Sequence, residues 1–242
     1  MAVSLVTGAG SGIGRATSRS LDARGDAVVC VDIDRDAAED TAQQLHQSMA
    51  IGADVTDESA MRAVVQDAVR SFGTINNVVT CAGVGGGQEI LDLDLRHFRR
   101  VMEINVLGTL ITTRVAVEHM ASHGHGGSIV FLGSTSSKIA SASRSAYAAS
   151  KGGVLMLGKV LAVELAPKRI RVNVVGPGPT ITSMTEPELS NPRVRMMWES
   201  RIPLQKVAEP SEVASVIVFL TGDESSYITG AFIPVDGGLL AQ

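Results

Sequence analysis

Residues 3–14 read VSLVTGAGSGIG, a short apolar run that passes directly into a glycine-rich turn. The apolar run has the length and β-branched content of a strand, and the amphipathic stretch over residues 13–23 has the period of a helix. A glycine-rich turn between a strand and a helix lets the backbone approach a pyrophosphate, which then lies at the helix N-terminus. The predicted phosphate-binding residues are Gly8, Ser11, Gly12, Ile13 and Gly14.

The spacing departs from the general GxGxxG pattern, because Ile13 stands where that pattern has its last glycine. A turn that binds nothing is therefore an alternative. Asp32 favours a dinucleotide, since it ends the predicted strand 27–32, where a carboxylate accepts hydrogen bonds from ribose hydroxyls and repels a 2′-phosphate. Asp34 can cap the next helix equally well, which leaves Asp32 free. We therefore predict NAD rather than NADP, although Arg35 is a nearby cation.

Short β-branched runs alternate with longer amphipathic stretches along the chain. Most runs are continuously apolar, which is typical of strands buried on both faces of a parallel sheet. The predicted strands are residues 3–7, 27–32, 49–54, 77–81, 128–134, 171–175 and 231–235. The predicted helices are residues 13–23, 36–47, 58–72, 95–120, 145–165 and 210–220. We predict an α/β fold, with a single doubly wound, mostly parallel Rossmann-type sheet of about seven strands and helices on both faces. It forms one domain over residues 1–242.

Composition excludes several classes of function. The 242 residues carry a net charge of −4, and no long basic run is present, which argues against a nucleic-acid partner. The N-terminal residues lack the basic region of a signal peptide. Lys159 and Glu164 interrupt the apolar stretch 153–166, so we predict no membrane span. We therefore expect a cytoplasmic protein.

The cysteines and histidines suggest neither a disulfide nor a metal site. Cys30 and Cys81 fall in predicted strands separated by one other strand, about 9 to 10 Å apart, which is too far for a disulfide. The cluster of His119, His123 and His125 has no further ligand near it in sequence, and a solvated loop is the better interpretation.

Tyr147 and Lys151 are four residues apart on the predicted helix 145–165, so their side chains share one face. A phenol has an ordinary pKa of about 10, and a nearby ammonium lowers that pKa. This pairing predicts Tyr147 as a general base for alcohol oxidation or a general acid for carbonyl reduction.

Together these motifs resemble those of the short-chain dehydrogenase/reductase family over nearly the whole chain. The residues that carry the resemblance are those of the segment 7–14, Asp32, Asp54, Val55, Asn105, Ser134, Tyr147, Lys151, Pro177 and Gly178. The resemblance implies four catalytic residues. In the family pattern Ser134 binds the substrate oxygen and Tyr147 transfers the proton. Lys151 lowers the Tyr147 pKa and holds the nicotinamide ribose. Asn105 positions a water that relays protons to Lys151 through a helix kink.

Several of these residues have an alternative assignment or a purely structural alternative role. Ser136 is a rival for the role of Ser134, and Ser134 itself is also suited to a strand-end turn. Asn105 can bond its own helix backbone. Asp54 can reach the adenine amino group, or it can simply begin a turn.

The resemblance also implies the remaining residues around the cofactor. In addition to the glycine turn, Asp32, Tyr147 and Lys151, they are Ile33, Asp54, Val55, Cys81, Ala82, Gly83, Pro177, Gly178, Thr180 and Thr182. Cys81 departs from the Asn-Asn-Ala-Gly common in the family, and its weak hydrogen-bonding group puts in doubt the side-chain bonds that tie this strand to its neighbour.

Residues 183–209 are predicted to form a substrate lid, because long irregular segments in compact domains are usually functional. Its larger apolar residues are Met184, Leu189, Met196, Met197, Trp198 and Val207. They suggest a neutral, largely apolar secondary alcohol or ketone as substrate, or they only pack the lid to the core.

The resemblance suggests a homotetramer, with helices 95–120 and 145–165 supplying one interface. The alternative functions are a 3-oxoacyl thioester reductase-like activity, or a non-redox enzyme or nucleotide-binding protein on the same scaffold.

Overall fold

Seven strands form one sheet in the computed structural model, which describes residues 1–242. The strands are Val3–Thr7 (β1), Ala27–Asp32 (β2), Ser48–Gly52 (β3), Asn77–Thr80 (β4), Gly127–Leu132 (β5), Ile170–Pro177 (β6) and Phe232–Val235 (β7). Their order is β3-β2-β1-β4-β5-β6-β7, and every neighbouring pair is parallel. The predicted Rossmann-type sheet is confirmed. The strand order reverses at β1, so a crevice opens at the carboxyl ends of β1 and β4.

Helices cover both faces of this sheet. They are Gly12–Arg24 (α1), Arg35–Ala42 (α2), Glu58–Phe72 (α3), Leu95–Met102 (α4), Gly108–His123 (α5), Ser145–Leu165 (α6), Glu186–Leu189 (α7), Pro192–Arg201 (α8) and Pro210–Thr221 (α9). Leu5 faces the core formed with α3, α5 and α6, whereas the next residue, Val6, faces the core formed with α1, α2 and α9. Alternate residues of a fully buried strand thus supply two separate cores.

The predicted single helix over residues 95–120 is wrong. The structure has α4, a π-helical turn at Glu103–Leu107 and then α5. A π turn inserts one residue into an otherwise continuous helix, and the apolar pattern of the sequence continues through it. Gly108 follows the turn, and a Cβ there would meet a Val55 methyl at 2.6 Å, so the turn brings α5 close to the end of β3.

Several element ends also differ from the prediction. Helix α2 ends at Ala42 rather than at residue 47, and the Ser48 hydroxyl donates to the Ala42 carbonyl there (2.8 Å). Strand β3 ends at Gly52, so Asp54 lies beyond the strand. Strands β4 and β5 end at Thr80 and Leu132, which places Cys81 and Ser134 on the loops that follow.

By length and composition alone, Ser145–Lys168 would be long and apolar enough to cross a membrane, although Lys159 and Glu164 lie within it. Core helices pass the same test. Here α6 packs on β5 and β6, with Val154, Leu155 and Ala162 buried in the core that includes Phe131.

Both cysteines are free. Cys30 lies on β2 and Cys81 follows β4, and β1 separates these strands as expected.

Candidate active site

A cleft of about 560 Å³ lies at the carboxyl ends of the strands. All of the residues predicted to bind a cofactor line it, and so does Ser134. Asn105 lies behind the cleft wall, and Ser136 does not line it. Met184 of the predicted lid also lines the cleft, together with residues that the sequence did not single out, namely Ala53, Val84, Gly85, Arg100, Ile104, Leu132, Ser183 and Thr185.

The glycine turn at the mouth of α1 has no room for side chains. Gly8 has a φ of +67°, and a Cβ there would meet the Ala82 backbone nitrogen at 2.7 Å. A Cβ on Gly14 would overlap the Gly8 carbonyl oxygen. Ser11, the N-cap residue of α1, makes no side-chain capping bond. The first backbone N–H groups of α1 therefore remain available at the cleft, which fits the pyrophosphate of a dinucleotide.

Asp32 contacts this turn directly. Its Oδ2 accepts a hydrogen bond from the Gly10 N–H (2.9 Å), and its Oδ1 accepts from the Asp34 N–H (3.1 Å). Asp34 caps α2 by accepting from the Ala37 N–H (3.1 Å). Capping therefore does not require Asp32, and its carboxylate keeps lone pairs that face the cleft. Arg35 points to Glu39, with 4.0 Å between their charged groups.

Asp54 stabilises the turn that it begins, which was the alternative prediction for this residue. Its Oδ1 accepts from both the N–H and the hydroxyl of Thr56 (2.9 and 2.8 Å). The Thr56 backbone bond is the main cause that lowers the pKa of Asp54, and Arg100, 3.7 Å away, lowers it further. Asp54 also lines the cleft, so the two roles are compatible.

Tyr147, Ser134 and Lys151 meet on one wall of the cleft. Helix α6 presents Tyr147 and Lys151 from consecutive turns, and the Lys151 ammonium lies 5.7 Å from the Tyr147 ring centre. Lys151 Nζ donates to the Leu132 carbonyl (2.7 Å). Ser134 follows β5, where its hydroxyl accepts from the Ser136 N–H (3.1 Å) and interacts with the Tyr147 phenol.

The pKa of Tyr147 is raised, whereas the sequence predicted that it would be lowered. Burial raises the pKa of this phenol above its ordinary value, and Ser134 and Arg144 offset only part of that rise. Lys151 does not contribute, because its own pKa is lowered to about 8 by burial. Without a cofactor, desolvation thus outweighs the pairwise charge effect on which the sequence argument was based.

We expect the burial of Lys151 to make the protein more stable as pH rises from 7 to 9.5. The folded-state pKa is about 8, against the ordinary lysine value of 10.5. Below pH 8 both states bind the proton, and the desolvation cost is present in full. Above pH 8 the folded protein releases the proton first, so stability rises by about 2 kcal/mol by pH 9.5.

The measurement is urea unfolding of the wild type and of Lys151→Met at both pH values. The gain in unfolding free energy should be confined to the wild type. An equal pH response in both proteins would contradict a depressed Lys151 pKa.

Asn105 connects the π turn to the walls of the cleft. Its Oδ1 accepts from the Val84 N–H (2.8 Å), and its Nδ2 donates to the Val84 carbonyl (3.0 Å) and to the Ser150 hydroxyl (2.9 Å). Ser150 in turn donates to the Tyr147 carbonyl (2.7 Å). The side chain of Asn105 therefore bonds neighbouring segments rather than its own helix. Ser150, which sequence reasoning missed, joins Asn105 to the helix of Tyr147.

Thr7 makes the hydrogen bonds that join the loop after β4 to strand β1. These are the bonds that Cys81 was expected to weaken. The Cys81 N–H donates to the Thr7 carbonyl (3.2 Å), and the Ala82 N–H donates to the Thr7 hydroxyl (3.3 Å). Burial raises the pKa of the Cys81 thiol to about 12. The cysteine therefore remains a neutral thiol, and Thr7 is the residue that holds the loop after β4 against β1.

Comparison with known proteins places this fold and cleft in a family. A family model described as enoyl-(acyl carrier protein) reductase matches residues 8–240. A cis-4-hydroxycyclohexanecarboxylate dehydrogenase from Sinomonas cyclohexanicum is 38% identical, over 99% of this chain and 96% of the relative. A (3R)-3-hydroxyacyl-CoA dehydrogenase from Mus musculus is also 38% identical, over 98% of this chain and 96% of the relative.

Comparison with solved structures gives the same family. A crystal structure of a short-chain type dehydrogenase/reductase from Mycobacterium marinum superposes with a TM-score of 0.95 at 33% identity, covering 100% of this chain and 96% of that one. The sheet order and cleft define a parallel α/β protein with its cleft at the strand reversal. The chain belongs to the short-chain dehydrogenase/reductase family.

Proposed function

We propose that this protein is an NAD-dependent dehydrogenase that interconverts a secondary alcohol and a ketone. The observation that carries the proposal is the convergence of Ser134, Tyr147 and Lys151 beside the glycine turn and Asp32 in one cleft. The whole chain acts as one cofactor-binding domain, with residues 183–209 as its lid, and it works in the cytoplasm. A bound nicotinamide cofactor supplies the hydride acceptor or donor.

The protein's own residues bind the substrate and move the proton. The Ser134 hydroxyl donates a hydrogen bond to the substrate oxygen and holds it beside the Tyr147 phenol. Tyr147 takes the hydroxyl proton during oxidation and returns it during reduction. Lys151, when protonated, stabilises the phenolate and binds ribose hydroxyls. Asn105 fixes a water that relays the proton to Lys151, held by the π turn of its helix.

Asp32 selects NAD over NADP. Its carboxylate accepts hydrogen bonds from the ribose hydroxyls, whereas a 2′-phosphate at the same place meets a like charge. The partners of Asp32 are the N–H groups of Gly10 and Asp34, and no cation pairs with its carboxylate. Arg35, the cation nearest in sequence, is directed to Glu39.

Replacing Asp32 with Ser is expected to abolish this selection. In the wild type NADPH should bind at least about tenfold more weakly than NADH, a difference of about 1.4 kcal/mol, and in Asp32→Ser the two affinities should converge. Calorimetric titration and thermal shift with each cofactor measure this. Asp36→Ser is the matched control, because Asp36 lies in the same acidic segment but outside the cleft. Equal affinities in the wild type would contradict the assignment to NAD. Binding of neither cofactor would favour a non-redox enzyme or a different nucleotide-binding role on this scaffold.

The substrate is neutral and largely apolar in this proposal. Val84, Gly85 and Met184 line the cleft beside Tyr147, and they supply apolar contact area. Other apolar lid residues have a packing role instead. Leu189 and Val207 are buried in a small core with Ile202 and Leu239, and Trp198 packs against it.

Acyl thioesters of 3-hydroxy acids are a second candidate substrate class. The relative from Mus musculus, whose name gives it this activity, is as similar as the one that acts on a cyclohexane ring. A panel of simple secondary alcohols and 3-hydroxyacyl thioesters, assayed with NAD, distinguishes the two classes.

A homotetramer is the proposed assembly. Helices α5 and α6 keep large apolar side chains in solvent, and one protomer does not cover them. Those residues are Leu110, Met156, Val160 and Val163. Their partner in the proposal is the same face of another copy.

A further inference from the structure

Arg144 lies one helical turn before Tyr147, since its carbonyl accepts from the Ala148 N–H (2.8 Å), and it is the cation whose charge lowers the Tyr147 pKa. It lies directly before α6 and follows Ser143 in the chain. Ser143 adopts a left-handed conformation (φ 63°), and its carbonyl accepts from the Gln88 N–H (2.7 Å). The start of the catalytic helix is thereby joined to the loop that follows β4.

The Arg144 side chain then crosses from this loop to the lid. The stem lies against Gly87, where an added Cβ would be in ordinary contact with the Arg144 Cδ and Nε at 3.7 Å. The guanidinium ends on Glu188 of α7, with 2.6 Å between Nη2 and Oε1. The ion pair thus joins the start of α6 to the lid, and the bond between Ser143 and Gln88 joins the same region to the loop after β4.

We propose that Glu188 makes the enzyme prefer uncharged substrates, because it neutralises Arg144 beside the catalytic tyrosine. This inference deepens the proposed function and rests on it for the location of the substrate. Two further carboxylates lie close to the pair, since Glu89 accepts from the Ser143 hydroxyl and Glu186 begins α7. A substrate that carries a carboxylate meets these charges and must compete with Glu188 for the guanidinium.

Removing the Glu188 charge reverses this preference. The side chains of Arg144 and Glu188 are 30% and 51% exposed, and partly exposed pairs hold the fold only weakly. Loss of Glu188 therefore frees Arg144 without unfolding the lid. A free guanidinium binds a carboxylate with two parallel hydrogen bonds, so the same side chain becomes a recognition group for an acidic substrate.

The test compares two ligands that differ by one carboxylate, cyclohexanol and 4-hydroxycyclohexanecarboxylate. Calorimetry gives their affinities for the NADH-bound protein and for the protein alone, and kcat/KM with NAD gives the same comparison in turnover. Glu188→Gln should raise the carboxylate-to-neutral ratio about tenfold. Adding Arg144→Gln to that variant should return the ratio to its wild-type value.

Glu186→Gln is the matched control, because it removes one charge from the same helix without breaking an ion pair. It should change the ratio by less than about twofold. Equal effects of Glu186→Gln and Glu188→Gln, or no effect of either, would overturn the proposal. The proposed function fails by a different result, the absence of NADH binding, which calorimetry reports separately from the ligand ratio.

Discussion

Tyr147→Phe is expected to lose about 10²- to 10⁴-fold in kcat, the range contributed by a positioned proton donor and acceptor. The substitution removes only the phenolic oxygen and keeps the ring that packs beside Lys151. Because Ser134 and Lys151 keep their own bonds to the Ser136 N–H and the Leu132 carbonyl, the cleft should retain its shape. The measurement is steady-state oxidation of a secondary alcohol with NAD, together with the NADH affinity.

The other tyrosine of the chain provides the control. Tyr227 is fully exposed in the segment before β7 and does not line the cleft. Tyr227→Phe should turn over as the wild type does, and both variants should bind NADH with unchanged affinity. If Tyr147→Phe kept its activity within tenfold, another group would have to move the proton, and the proposed role of Tyr147 would be lost.

The elements that the sequence predicted well are those whose signals are local. Glu58–Phe72 has its predicted bounds because Asp57 accepts from two N–H groups at its start, and Gly73 is left-handed at its end. Strand β1 has its predicted bounds because a short β-branched run passes directly into the glycine turn. The apolar period is continuous through the π turn at Glu103–Leu107, so periodicity did not predict it, and only the family resemblance implied a helix kink at Asn105. Within this turn Asn105 bonds Val84, 21 positions away in the chain.

Within the cleft, too, the sequence predicted a contact between nearby residues and missed contacts between distant ones. Tyr147 and Lys151 are one helical turn apart, so their spacing was enough to pair them. Ser150 contacts Asn105 across 45 positions of the chain, and Arg144 contacts Glu188 across 44. Neither pairing has a sequence signal, since both depend on how helices and the lid pack. The direction of the Tyr147 pKa was missed for a related reason, because burial is a property of the whole fold.

Gly14→Ala is expected to abolish cofactor binding, with an affinity loss of at least about 100-fold, or about 2.7 kcal/mol. Alanine favours a helix by about 1 kcal/mol over glycine, so helix propensity alone would predict a more stable protein. The added Cβ would overlap the Gly8 carbonyl, however, and contact the Ala9 nitrogen at 3.2 Å. The turn and the start of α1 must then separate, which costs about 1–3 kcal/mol and withdraws the N–H groups from the pyrophosphate. NADH titration and urea unfolding measure the two effects.

Gly152→Ala separates this clash from the general effect of the same substitution. Gly152 also lies in a helix, and a Cβ there would meet nothing within 4 Å. This variant should gain about 0.5–1 kcal/mol in unfolding free energy and bind NADH as the wild type does. If Gly14→Ala bound NADH equally well, the backbone of the glycine turn would not be the phosphate-binding element. The cofactor would then have to be held chiefly by Asp32 and the residues that follow β6.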